Sequence, residues 1–274
     1  MKNATAKNSH LATLKDSKYF QDQIEAGKIL SDVMNQMIEK VYSQSFDSYL
    51  GLSRFAESLI LNYNAVPTFK GYKGFPEAIC ISINNELVHG IPKSTAPQPT
   101  DLVSLDFGVT VGRSVVDSAL TVSAEPSTSD QELIYSTQQS LYAGIEAIRL
   151  EARVGSIGEA IHGYVSKHGY SVVQEMGGHG LGYGNPHEFP FIGNKDVSTN
   201  GIRIQPGMTF AIEPLVYKGT SNFYLDKDGW SVYMNHRCAH VEHTIQVREN
   251  EIEIVTWHPN FDVPNQNISN IISF

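Results

Sequence analysis

Residues 101–122 read DLVSLDFGVTVGRSVVDSALTV, and the alternation in this stretch decides the fold. Val103, Leu105, Phe107, Val109 and Val111 fall on one side of an extended chain. Ser104, Asp106, Gly108 and Thr110 fall on the other, because successive strand side chains point to opposite faces. A second strand-like run covers 115–122, and Val111–Gly112–Arg113 predicts the turn of a hairpin between them. A two-residue loop at 111–112 sets Asp106 opposite Asp117. A turn centred on 112–113 shifts the pairing by two residues and keeps both carboxylates on one face. Facing cross-strand side chains lie about 4.5–5.5 Å apart at Cβ. Two carboxylates that close repel unless a proton or a cation sits between them.

The same alternation recurs downstream. In 207–215, Met208, Phe210 and Ile212 oppose Thr209, Ala211 and Glu213; in 240–247, Val241, Ile245 and Val247 oppose His240, Glu242, Thr244 and Gln246. Each strand has an apolar face and a polar or small one, and the polar faces carry Asp106, Glu213 and Glu242. This predicts an antiparallel sheet covered by helices on one side, with a carboxylate-lined hollow on the other. Helical spacing covers 17–45, 52–63, 131–150 and 156–169; further strand patterns fall at 79–84, 171–175 and 251–256. Helix, helix and strands followed by helix, helix and strands reads as an α+β fold of two similar halves, about 17–125 and 126–260. With no linker between them, 17–274 is expected to be one domain behind a polar extension at 1–16. The stretches Lys93–Pro99 and Tyr217–Trp230 read as connectors.

Composition narrows the functional classes. With 274 residues, 41% of them hydrophobic and 18% charged, the chain is long enough for a substantial core and carries no biased tract. Its net charge of −9 and its scattered lysines and arginines argue against a nucleic-acid surface. Cys80 and Cys238 are too few for a disulfide framework and read as free thiols in a reducing compartment. The polar beginning and the lack of a long apolar run point to a cytoplasmic protein without a membrane span.

Glu213 and Glu242 lie inside apolar runs (MTFAIEPLV and AHVEHTIQV), where an ionised carboxylate is costly unless paired or coordinated. Protein cations are sparse there, Arg237 and Lys218 being the nearest in sequence. His179 sits in MGGHGLGYG, whose glycines match neither a dinucleotide nor a P-loop pattern. They suit a turn in which the backbone passes close to something and leaves the imidazole exposed. Four carboxylates and one imidazole make a hard donor set that suits two divalent cations, Co, Mn, Fe or Zn, and hydrolytic chemistry.

The segments CISINNELVHGIP (80–92), VSLDFGV (103–109), VVDSA (115–119), GGHGLG (177–182), PGMTFAIEP (206–214), DGW (228–230) and VEHTIQV (241–247) resemble, in order and spacing, the type I methionine aminopeptidases. The resemblance spans residues 20 to 256. It implies the pita-bread fold, two pseudo-twofold-related α/β halves around a dinuclear site. It also implies an enzyme that removes the initiator methionine from nascent polypeptides, with a hydroxide between two metal ions attacking the scissile carbonyl. Asp106, Asp117, His179, Glu213 and Glu242 would be the metal ligands, Asp106 and Glu242 bridging and Asp117 chelating. Glu213 would also act as general base, while His89 and His187 contact the substrate amide and carbonyl. Phe69, Tyr72, Phe75, Cys80 and Trp230 would form the methionine pocket, aromatic edges and a sulfur wall suiting a thioether. Partners would be peptides and nascent chains beginning with Met, which emerge at the ribosome, with the protein acting as a monomer.

Two departures from the family stand out. The loop NPHEFP around His187 is one residue longer, with Phe189 in the family's second acidic position, and Val115 and Val116 are more apolar than usual. His240 and His243 flank Glu242 and are candidates for supporting the ligands from behind. The rival readings are a prolidase or aminopeptidase P, which share the ligand set but carry a large extra N-terminal domain, and an inactive pita-bread binding module, which loses ligands.

Overall fold

The computed structural model describes residues 12–219, 222–257 and 270–274. Most of the expected N-terminal extension lies outside them. Helix α1 (Ser17–Ser43) starts where the Asp16 carboxylate accepts the Tyr19 N–H at 2.8 Å and ends at Gln44, whose backbone is left-handed. Its buried face, from Ala26 through Leu30, Val33, Met37 and Val41, follows the three-and-four spacing read from the sequence. Helix α2 (Tyr49–Asn62) is capped by Ser48. The chain then runs through short β1 (Val66–Pro67), β2 (Cys80–Ile83) and β3 (Glu86–Val88) into the long hairpin β4 (Val103–Val111) and β5 (Ser114–Val122). Helices α1 and α2 cover the apolar side of these strands.

The second half repeats the order. Ser127 and Asp130 close a reciprocal capping box at the start of α3 (Thr128–Glu146), which packs on α4 (Gly155–Lys167). There follow β6 (Tyr170–Val172), β7 (Gly177–Gly182), β8 (Asn185–Gly193), β9 (Thr209–Ile212), β10 (Leu215–Lys218), β11 (Tyr224–Leu225), β12 (Val232–Tyr233), β13 (Cys238–His240), β14 (His243–Val247), β15 (Glu251–Ile254) and β16 (Ile271–Ser273). All strand pairs among the described residues are antiparallel. Strand β4 is flanked by β5 on one side and by β1 and β2 on the other. A six-stranded sheet runs β16-β15-β14-β9-β7-β8, and three-stranded sheets β13-β10-β6 and β11-β12-β3 complete the fold. One cluster of buried side chains extends from Ala26 to Ile254.

Three expectations need correcting. The glycine-rich segment around His179 is strand β7, not a turn, because neighbouring backbone crowds it from both sides. A Cβ on Gly178 would lie 2.2 Å from the Ala211 carbonyl oxygen, and one on Gly180 would lie 2.5 Å from that of Phe189. The segment NPHEFP is likewise strand β8, with its irregularity taken up as bulges against β7 between His179 and Gly180 and between Gly180 and Gly182. The connector at 217–230 contains β11 and completes β10.

The sheets meet along one seam. Ala119 of β5 pairs with Glu242, the Glu242 N–H donating to the Ala119 carbonyl at 2.9 Å. Hydroxyls extend the pairing. Thr244 Oγ1 accepts the Asp117 N–H at 2.8 Å and donates to the Asp117 carbonyl at 2.7 Å, while Ser118 Oγ donates to the Glu242 carbonyl at 2.7 Å. Thr121 Oγ1 accepts the His240 N–H at 2.8 Å and donates to its carbonyl at 2.9 Å.

Candidate active site

The hairpin turn settles the first pair. Val111 pairs with Ser114, which leaves Gly112 and Arg113 as the loop, with Gly112 at φ +60°. The register is thus the shifted one: Asp117 faces Gly108, and Asp106 faces Ala119. Both carboxylates stay on one face, two residues out of step. Gly108 is small because a Cβ there would lie 2.9 Å from Thr68.

His179 on β7 pairs with Ala211 on β9, which places Glu213, just past β9, beside it. Glu242 enters from the seam between β13 and β14. Asp106, Asp117, His179, Glu213 and Glu242 are each more than nine-tenths buried. His179, expected to be exposed, is buried with them, because β8 and β9 flank its strand. Its Nε2 lies 4.0 Å from Asp117 Oδ2, 4.0 Å from Glu213 Oε2 and 3.9 Å from Glu242 Oε1.

No protein cation answers these charges among the described residues. Arg237 is taken by Asp130 at 2.8 Å, Lys15 by Glu188 at 2.5 Å, and Lys93 by Glu86. Burial, chiefly, pushes the Asp117, Glu213 and Glu242 carboxyls well above the usual carboxylate range, and mutual repulsion adds to it. Asp106 is also raised by burial, with a hydrogen bond from Cys80 opposing. Burial lowers His179 to about 4, so the ring is neutral and its close contacts are not ion pairs. Asp106 Oδ1, Asp117 Oδ1 and Glu242 Oε1 are buried without any hydrogen bond. A neutral imidazole among crowded carboxylates with orphaned oxygens fits a divalent cation and fits little else. The ligand atoms of Asp117, His179 and Glu242 lie within 4.8 Å of one another, and so do those of Glu213, His240 and Glu242.

A cavity of about 250 Å³ opens onto the cluster, and the twelve residues singled out from the sequence all line it, together with Lys73. Its volume falls below the ~300–1,000 Å³ of pockets for drug-sized ligands. Phe75 meets the Trp230 ring edge-on at 5.2 Å, and Cys80, paired with Asp106, forms part of the wall. The Cys80 thiol is pushed far up by burial and then by the four carboxylates, which excludes a thiolate nucleophile. The Asp228 carboxylate holds the loop before β12 by accepting the N–H groups of Trp230 and Ser231, both at 2.8 Å. His187 lies between Tyr72 (stacked, 5.4 Å) and His179 (4.1 Å), and burial lowers it to about 2. The longer β8 therefore still delivers this ring to the cavity. His89, in the left-handed region at φ +58°, meets the Trp230 edge at 6.4 Å. Sequence reasoning missed Lys73, whose exposed place in GYKGFP gave no signal, and the second ligand-spaced group around His240.

The model of metallopeptidase family M24 matches residues 22–249. Methionine aminopeptidase 1 of Bacillus subtilis is 37% identical over 235 residues, covering 85% of this chain and 94% of the relative. The crystal structure of methionine aminopeptidase from Rickettsia prowazekii superposes with a TM-score of 0.86 at 32% identity, over 90% of this chain and all of that one. A prolidase from Pyrococcus horikoshii shares the fold at TM-score 0.68 and 18% identity, and the alignment covers 63% of its length.

Proposed function

Because the chain belongs to metallopeptidase family M24 and has the pita-bread fold, we propose that it is a methionyl aminopeptidase. On this reading it removes N-terminal methionine from peptides and nascent chains. One observation carries the reading: a cluster of buried, uncompensated carboxylates opens directly onto an aromatic cup with a sulfur wall. Metallopeptidase chemistry implies divalent cations, and two of them, drawn from Co, Mn, Fe or Zn, would be held by Asp106, Asp117, His179, Glu213 and Glu242. When bound, the ions acidify water and polarise the carbonyl under attack.

The protein's own groups do the rest. Phe69, Tyr72, Phe75, Cys80 and Trp230 seat the methionine side chain, which fixes the first peptide bond over the carboxylates. His89 and His187, both kept neutral by burial, donate to the substrate's amide and carbonyl as the carbon becomes tetrahedral. Glu213 takes a proton from the attacking water and delivers it to the departing amine. Burial, and then the neighbouring Asp106 and Asp117, raise its proton affinity in the metal-free protein.

Residues 17–274 act as one catalytic domain in this reading, and the protein works as a cytoplasmic monomer where chains leave the ribosome. No helix among the described residues is long and apolar enough to cross a membrane.

The test is release of free methionine from Met-Ala-Ser and Met-Pro peptides, with Xaa-Pro controls, after stripping and refilling with each metal. Metal-dependent cleavage after methionine alone is expected. Cleavage of Xaa-Pro whatever the first residue would move the site to the prolidases. Metal binding without any cleavage would leave a binding module.

A further inference from the structure

His240 lies behind the cluster, and its ring is 1% exposed. Thr121 fixes its backbone from both sides, through its N–H and its carbonyl. Neither ring nitrogen makes a hydrogen bond. The Nε2 atom lies 3.5 Å from Glu213 Oε1 and 3.9 Å from Glu242 Oε2, too far for a hydrogen bond to either. The other oxygens of the same two carboxylates, Glu213 Oε2 and Glu242 Oε1, lie 4.0 and 3.9 Å from His179 Nε2. Each glutamate therefore stands between two imidazoles and turns one oxygen toward each. Two ligands bonded at roughly 2.1 Å and spread tetrahedrally lie ~3.4 Å apart, close to the spacing around His240.

We infer that His240 is a sixth protein ligand, binding a divalent ion through Nε2 together with Glu213 Oε1 and Glu242 Oε2, so that each ion of the pair has its own imidazole. The inference rests on the metal-site reading above. It follows from chemistry as well as spacing. An unpartnered buried imidazole beside two carboxylates that lack a counter-charge is costly in the free protein, and a cation answers all three groups at once. A second nitrogen donor also moves the site's preference toward zinc, iron or cobalt and away from manganese, which favours all-oxygen surroundings.

The experiment loads the full chain with two equivalents of Zn²⁺ and counts imidazoles by X-ray absorption at the zinc edge, in the wild type, His240→Gln and His179→Gln. Affinity alone does not discriminate, since a group that merely orients a ligand also changes it by ~10–100-fold. Two imidazoles per ion pair in the wild type, and one in each variant, is the expected result. One imidazole in the wild type, lost only in His179→Gln, would overturn the inference and leave the metal site standing. Failure of the wild type to bind zinc at all would overturn both. A wild-type count of one overturns the inference even if His240→Gln does not fold, a case that far-UV circular dichroism of the metal-free variants identifies. A count of two then stands for His240 only if His187→Gln and His89→Gln leave it unchanged, and a drop in either would overturn the inference.

Discussion

Asp106 and Glu242 each carry an oxygen with no hydrogen bond; Asp106 lies on β4 and Glu242 between β13 and β14. If both hold metal, Asp106→Ala and Glu242→Ala abolish hydrolysis while the far-UV spectrum stays native; near-wild-type turnover by either variant would exclude the metal reading. Trp230 serves binding rather than bond breaking. Trp230→Ala should raise KM about tenfold or more with kcat little changed, since an aromatic anchor contributes of order 1.4 kcal/mol or more. His187 titrates far below neutrality because burial, and then the rings and the lysine around it, oppose its charged form. The acid limb of the kcat/KM profile is therefore not expected to report His187. In His187→Gln that limb should keep its midpoint while the plateau falls; a midpoint shift of a unit or more would assign it to this histidine.

At the scale of elements, the seam between β5 and β14 joins the two sets of candidate ligands. Thr244 alone satisfies both backbone groups of Asp117. Thr244→Val keeps the shape and orphans a buried N–H and carbonyl, at a cost of about 1–3 kcal/mol. Thermal unfolding of the metal-free protein should show a lower Tm, and an unchanged Tm would mean the seam is held elsewhere. What the sequence made legible follows from the same elements. The period of two in 103–111 exposed the Asp106 face, and the carboxylates inside apolar runs marked themselves by the cost of burying them. His179 was found, but its strand was not, because glycine carries no strand preference and here marks close backbone approach. The register of Asp106 and Asp117 hinged on whether the turn lay at 111–112 or 112–113, and Gly112 is compatible with both. His240 was legible only as a neighbour of Glu242, since no sequence pattern reports which way a buried ring is aimed.

For the molecule as a whole, the carboxylates tie stability to pH and metal together. Their folded-state proton affinities are raised by burial, so in the metal-free protein the folded state holds protons that the unfolded chain has already released. That contribution is complete below pH 4, the unfolded carboxylate range, and is lost as pH rises through the raised values. The Tm of the chelated protein should therefore fall as pH rises above the unfolded carboxylate range, through the Asp106 value of about 7 and beyond. Metal reverses the trend, because it binds the deprotonated ligands and its grip tightens with pH. Differential scanning calorimetry with and without one metal excess checks both; parallel curves would mean the carboxylates are compensated by something other than a cation.

The seam places Asp117 and Glu242 where distant stretches of chain meet, and a cation held between them, as proposed, would be a fastener as well as a reagent. Its loss leaves buried carboxyls that must either take up protons or face one another as like charges, and both weaken the join between the sheets. In surroundings starved of transition metal, this protein should become short-lived, its turnover by proteases rising as its ions are withdrawn. Supply of the ion would set how much of the protein exists, before it sets how fast each copy works.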